Sequence, residues 1–452
     1  MANTLNASLD ETLAQQTISL PATRLRDTLW AGARTWSPKG ALALVDQGLI
    51  SGANFLVGIL LARHLAPEQY GAYALAFEVF LFLTVAYGAL VLEPLSVFGV
   101  SVYRNSNRDY LGVLLRIHMV LASVIFLGLG ACAWALQWVF PGGKMASALV
   151  GVAIAAPCVL LFWLARRGFY VKLSPSQAAL GALVYFLVVL GGLLLADRRG
   201  FLSPLVAFLL MAAGAAVTAP LMLARLGFSF KLRHSITKPA EVIRRHWDYG
   251  RWALGSAVAI WISGAIYYPL LGSFHGLADA GAFKALMNFT SPVSQAFAAM
   301  SLLSLPYAAR AHYRTRSGSP HRLAVKLALI YAGGTILYWL IIVFMRRPIV
   351  FYLYAGKYTE ITGLIPWLAL GSVLRISATS QAVILRAMQA PSLVFTAYVA
   401  SSAVAVLAGA PLTWAFGVQG TVFTLVLSSA VALVVTLVML RRSPSWPGHF
   451  GQ

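Results

Sequence analysis

An ionisable side chain inside a long apolar segment is costly, so it is retained for function or paired with an opposite charge. The deepest such residue in this chain is Arg375, in the middle of GSVLRISATSQAV and too far from either end to reach water by stretching. Ser372, Ser377, Thr379, Ser380 and Gln381 surround it in sequence, a composition suited to a wet wall. A guanidinium there either grips an anion such as a diphosphate through its paired N–H donors or forms a buried ion pair with Asp46 or Glu78 that only holds helices together. Asp46 lies about two turns into the first apolar segment, and Gln47, Ser51 and Asn54 extend a polar stripe beside it. Pairing with a basic residue at the near membrane surface is one reading of Asp46. Glu78 and Lys284 form an acid and a base on two other helices, with Asn288 one turn beyond Lys284. They suit a gate, a substrate clamp or a static bridge. Arg116 and Lys326 open two further segments, where they either catch an anionic head group or contact lipid phosphate. Trp261, Tyr267 and Tyr268 either stack on sugar rings or anchor helix ends. Pro94, Pro269, Pro292 and Pro306 are hinge candidates, although spans also tolerate proline without function.

Other chemistries are missing from the sequence. There is no GxxxxGK(S/T) phosphate loop, no HExxH, no GxSxG and no Cys/His metal spacing. Cys132 and Cys158, both within apolar segments, read as small packing residues. No cofactor, no metal and no enzymatic activity are expected.

The elements that must position these residues are membrane spans. Of the 452 residues, 60% are hydrophobic and 10% charged, against about 25% charged in a soluble protein. A span needs roughly 20 apolar residues. Twelve segments qualify, centred near residues 51, 82, 124, 156, 187, 212, 261, 292, 334, 371, 402 and 430. The expected fold is an all-α polytopic membrane protein of twelve transmembrane helices. The net charge of +21 does not indicate nucleic acid, because the basic residues fall in short loops. With the N-terminus inside, 25 of the 34 Lys and Arg residues lie on the inner side, which places both termini in the cytoplasm. Residues 1–39 are too polar for a signal peptide. Within them, 21–36 form either a short interfacial helix, with Leu25, Leu29 and Trp36 against lipid, or a disordered tail.

The chain repeats itself. Residues 40–77 shifted by 210 overlie 250–287 with eight identities in the first 37 positions, among them Gly40/Gly250, Leu61/Leu271 and Gly71/Gly281. Each half therefore opens with the same helical hairpin. Six spans per half is an even number, so the halves enter from the same side and are parallel repeats about an axis along the membrane normal. The organisation expected is a cytoplasmic segment 1–39, an N-lobe 40–226, a basic inter-lobe loop 227–249, a C-lobe 250–440 and a cytoplasmic tail 441–452. The repeat preserves the frame and not the polar residues. Asp46 corresponds to Ser256, Asn54 to Gly264 and Glu78 to Asn288, so a binding site should lie where the halves differ.

Three features carry a family resemblance: the twelve-span layout in parallel halves, the turn Ala62-Arg63-His64-Leu65-Ala66-Pro67-Glu68-Gln69-Tyr70-Gly71-Ala72-Tyr73, and Arg167-Gly168-Phe169-Tyr170 after the fourth span. Together they resemble the polysaccharide-exporter branch of the multidrug/oligosaccharidyl-lipid/polysaccharide exporter superfamily, the Wzx-type flippases of O-antigen and exopolysaccharide repeat units. The turn departs from the family pattern only at Ala66, where glycine is usual. The turn itself reads as a folding element: Pro67 can start a helix, Glu68 suits a helix N-terminus and Gly71 permits close approach.

The resemblance implies a MATE-like fold. It implies flipping of a lipid-diphosphate-linked oligosaccharide across the bacterial inner membrane by alternating access, with membrane lipids and a polysaccharide polymerase as partners and a monomeric protein. In that setting Arg375, Lys284, Asn288, Glu78 and Asn54 would line the substrate cavity. Arg116 and Lys326 would capture the head group, and Asp46 and Glu78 are the acids available for ion coupling. An ion-coupled multidrug or small-molecule exporter on the same fold is the alternative, and it would need an acid-dominated cavity, against which Arg375 stands. A membrane-embedded polymerase or glycosyltransferase would need a large outer loop or a soluble domain, and the longest loop here is about 25 residues.

Overall fold

The structure is a computed structural model and describes residues 22–228, 238–297, 300, 320–387 and 391–442, without the side chains of 22–38, 252, 256, 320–326, 386, 387 and 391. Among the described residues the regular structure is entirely helical. In chain order the helices are α1 (Ala22–His64), α2 (Pro67–Tyr87), α3 (Glu93–Phe98), α4 (Asn107–Val139), α5 (Lys144–Val171), α6 (Pro175–Arg198), α7 (Pro204–Leu226) and α8 (Pro239–Ala265). Then follow α9 (Tyr267–Phe274), α10 (Leu277–Asn288), α11 (Pro320–Phe344), α12 (Arg346–Tyr354), α13 (Ile365–Ala387), α14 (Pro391–Leu407) and α15 (Gly409–Arg442).

Among the described residues nine helical segments are long and apolar enough to cross a membrane, and α8 and α9 make a tenth span bent by 42°. The eighth span expected from the sequence is broken, with α10 ending at Asn288 and a further helix over 291–297. The eleventh is the shorter apolar helix Ser392–Leu407. The third span is the most peripheral. Trp134, Trp138 and Phe140 near its end are exposed, as suits a lipid-facing surface. The possible interfacial helix lies within α1, but its side chains fall outside the described residues.

Two contacts set how the lobes meet. At the end carrying the Arg63–Tyr70 turn, α2 of the first lobe packs backbone to backbone on α10 of the second. A Cβ on Gly71 would overlap the carbonyl of Leu277, and one on Gly281 would lie 2.6 Å from the carbonyl oxygen of Pro67 and 3.0 Å from the Gly71 nitrogen. Gly281 is the repeat mate of Gly71, and Leu277 that of Pro67. The contacts are therefore reciprocal, as in an isologous dimer, and the pseudo-two-fold axis runs between the two glycines. Around them the lobes are cross-stapled. Arg63 donates to the carbonyl of Tyr352, while Lys357 Nζ donates to the carbonyls of Arg63 and Leu65, both at 2.8 Å. Each cation thus caps carbonyls at a helix end of the opposite lobe.

At the basic end, the second span carries a π-helical turn, Gly88–Leu92, just before Pro94. Proline has no N–H to offer the carbonyl four residues back, here that of Leu90. His246 of α8 supplies the donor through Nδ1 at 2.9 Å, and Gly250 of the same helix lies against Ala89 and Leu90. Because Nδ1 faces a carbonyl, it carries the ring proton, so Nε2 accepts from the Tyr110 hydroxyl at 2.6 Å. Burial holds the His246 pKa below its ordinary value. The neutral ring therefore stabilises docking above the usual histidine range, and that contribution is lost as pH falls through the lowered value. Wild-type protein in detergent is expected to show lower amide protection over 239–250, measured against the intrinsic exchange rate at each pH, on acidification from about pH 7.5 to about pH 5. His246→Gln, which can both donate and accept here, is expected to remove that pH dependence.

Candidate functional site

Between the lobes lies a cavity of about 450 Å³, walled by Glu78 of α2, Trp261 of α8, Tyr268 of α9, Lys284 and Asn288 of α10, and Arg375 of α13. It gathers most of the residues expected from the sequence. Lys284 Nζ donates to Glu78 Oε1 at 3.3 Å across the lobe boundary, with side chains only 13% and 10% exposed. The same ammonium sits 4.6 Å from the Phe77 ring centre and 5.4 Å from that of Tyr268, where ring faces add to its stabilisation. The acid and the base are thus a cross-lobe bridge on the cavity wall.

Arg375 is different. Among the described residues its guanidinium makes no ion pair and no hydrogen bond. Neither carboxylate considered as its partner is available: Glu78 is held by Lys284, and Asp46 is held by Arg166. The C-lobe makes room for Arg375 by deletion. Where the N-lobe has Asn54 the C-lobe has Gly264, and a Cβ there would already touch Arg375 Nη2 at 3.5 Å. With the Glu78–Lys284 pair balanced, Arg375 leaves the cavity with one surplus positive charge.

Asn288 closes the cavity towards the turn end. Its Nδ2 donates to the Tyr70 hydroxyl at 3.0 Å and the Tyr354 hydroxyl at 3.4 Å, and Tyr354 donates to the Ala285 carbonyl. Tyr70 and Tyr354 are fully buried, so this is a sealed polar plug. Of the aromatic residues on the seventh span, Tyr267 is buried against Ser428 away from the cavity, whereas Trp261 lines it. The Trp261 ring packs 5.0 Å from Phe82, and its indole N–H is shielded without a partner.

A second cavity of about 650 Å³ lies towards the basic end, walled mainly by the first lobe and closed on one side by Gln295 of the second lobe. Asp46 is part of its wall and is 1% exposed. Arg166 grips it through Nε to Oδ1 at 3.1 Å and Nη2 to Oδ2 at 2.6 Å, and the Tyr170 hydroxyl donates to Oδ2 at 2.5 Å. Pairing with a basic residue is thus what the structure holds at Asp46. Reading α5 by turns could have found this wall, since Trp163, Arg166, Arg167 and Tyr170 recur three and four residues apart.

Two expected cavity or capture residues are elsewhere. Asn54 is half-buried one turn past Ser51, where the N-lobe cavity ends, and lines neither cavity. Arg116 folds back onto its own helix, with Nε donating to the Gly112 carbonyl at 3.2 Å and Nη1 shielded without a partner. The first turns of α4 are buried in the bundle, from Tyr110 to Leu115, so Arg116 does not stand free at the membrane surface. The Lys326 side chain lies outside the described residues. No cluster of His, Cys, Asp and Glu suited to a metal occurs among the described residues.

The fold is similar to that of transport proteins of the MOP superfamily. An inward-facing multidrug-resistance transporter of its MATE family aligns with a TM-score of 0.71 over 87% of this chain and 94% of its own, at 14% identity. An outward-facing MATE family transporter aligns at 0.61 over 89% and 93%, at 13% identity. The lipid II flippase MurJ, in an inward closed conformation, aligns at 0.66 over 92% and 87%, at 12% identity. No sequence-family profile and no curated protein matches the chain.

Proposed function

We propose that this chain, which has the fold of MOP-superfamily transporters, is a flippase for a lipid-diphosphate-linked oligosaccharide, working in the bacterial inner membrane with both termini cytoplasmic. One observation carries the reading: the inter-lobe cavity holds a guanidinium that no group among the described residues pairs with. A half-buried cation without a partner in a span is costly unless a ligand or water supplies the balance, and Arg geometry matches a diphosphate. A drug-exporting cavity for cations would instead need a free carboxylate, and Glu78 is bound by Lys284. The packed turn end makes the cavity a compartment loaded from the cytoplasmic side, as the better alignment with the inward-facing relative also supports. The head group enters there and the lipid tail stays in the bilayer. The lobes then part at the Gly71–Gly281 contact to release it outward. A polysaccharide polymerase would take the product, and ion coupling through Asp46 or Glu78 would require those acids to leave their present partners.

The test is Arg375→Ala in the native cell, following both lipid-linked glycan and drug resistance. Accumulated glycan with unchanged resistance supports the flippase, while unchanged glycan export with lost resistance overturns it. The charge balance gives a sharper check. Lys284→Met frees Glu78 to neutralise Arg375 in the same cavity, so polyprenyl diphosphate binding is expected to fall about tenfold. The double variant Glu78→Gln/Lys284→Met removes both charges together and is expected to restore it. Equal losses in the single and double variants would show that Lys284 itself holds the anion.

A further inference from the structure

The N-lobe cavity and the inter-lobe cavity differ in their linings. In the inter-lobe cavity the Arg375 guanidinium stands without an ion pair among the described residues, whereas on the N-lobe wall Arg166 is held by Asp46, Asp46 also accepts from Tyr170, and Arg167 adds a second cation. Beside the aliphatic Ala43, Leu44, Ile50 and Leu92, the walls of the N-lobe cavity carry polar, planar and aromatic groups. Gln47 and Ser51 come from one face of α1, Trp163 and Tyr170 from one face of α5, and Gln295 from the helix over 291–297. Neutral amides and a fixed carboxylate–guanidinium pair present donors and acceptors to hydroxyl groups. An indole face covers the C–H side of a ring.

The two cavities are also neighbours along one helix. Ser291 lines the inter-lobe cavity, and Gln295, four residues or about 6 Å further on, lines the N-lobe cavity. Between α1 and that helix runs a hydrogen bond from Gln47 Nε2 to Gln295 Oε1, 3.4 Å long and between exposed side chains. A contact that long and that wet is a weak partition.

We infer that the N-lobe cavity is the carbohydrate subsite of the same head group: Arg375 takes the diphosphate, and the sugars extend past Gln295 to lie beside Trp163 and the Asp46–Arg166–Tyr170 cluster. The inference rests on the flippase reading and adds to it the location of the glycan. The Gln47–Gln295 bond opens as the sugars enter.

The test uses the full-length chain in nanodiscs and two probes: polyprenyl diphosphate, and the glycan-bearing polyprenyl diphosphate that accumulates in cells lacking this protein. Trp163→Ala and Gln295→Ala are each expected to weaken the glycan-bearing probe about 5- to 10-fold while leaving polyprenyl diphosphate within about twofold. Trp163→Phe, which keeps a ring face and guards against a folding defect, is expected to retain most of the glycan affinity. Loss of both probes to the same extent, or of neither, overturns the subsite. Arg375→Gln separates the two ideas, because it is expected to weaken both probes. If it weakens neither, the diphosphate reading fails whatever the Trp163 variants do.

Discussion

Replacing Arg375 with alanine is expected to stop export of the lipid-linked glycan and to leave the protein as stable as before. The two halves of that result come from one fact. Most buried arginines have a carboxylate partner, and removing one strands a charge at a cost of about 3–5 kcal/mol. Arg375 has no such partner among the described residues, so its loss strands nothing and even relieves an uncompensated cation. Thermal stability should therefore hold, whereas affinity should not. A hydrogen bond to a charged group is worth about 1.5–3 kcal/mol, so binding of polyprenyl diphosphate should fall roughly 10- to 100-fold. Arg375→Lys keeps the charge without the fork and should lie between. Binding to purified protein together with a melting curve decides the matter. A variant that melts early and binds normally would mark Arg375 as a structural residue.

The second large effect belongs to the glycine pair. Gly71→Leu, and equally Gly281→Leu, is expected to abolish export by preventing closure at the turn end. At both positions the obstacle is backbone of the opposite lobe, not the tip of a side chain that could move aside. The lobes must part, and the Asn288–Tyr70–Tyr354 plug parts with them. A cysteine at Ser291, on the wall of the inter-lobe cavity, should then react with a membrane-impermeant maleimide added outside, and should be protected in the unmutated background. Gly40→Ala is the control, since nothing lies within 4 Å of a Cβ there and alanine favours a helix. Export at the normal rate in Gly71→Leu would mean that this contact is not the outer gate.

These two residues show how differently parts of the molecule could be read. Gly71 was legible as a point of close approach because it recurs at Gly281 in a recurring turn, and repetition is visible in a sequence. The repeat also located the asymmetry that matters, since Asn54 and Gly264 differ and Arg375 occupies the space beside Gly264. Arg375 was legible as a charge in mid-span but not as an unpaired one, because its freedom depends on what Asp46 and Glu78 do. Asp46 is bound by Arg166, 120 residues away, and Glu78 by Lys284, 206 residues away. Arg116 and Asn54 were misplaced for a related reason: the sequence put them on the right helices, and helix rotation turned one onto its own backbone and left the other beyond a cavity's end.

By itself, then, the sequence determined the membrane class, the order of the spans, the two related halves and the short roster of charges that must matter. Those properties follow from composition, segment length and repetition. The tertiary structure alone decided which charges pair, that Arg375 is not among them, and that the wall beside Asp46 encloses a second cavity. In a soluble helix an apolar stripe marks the inward face. In a membrane span, lipid and protein interior are equally apolar, so periodicity does not mark that face, and partners are chosen only when the helices pack.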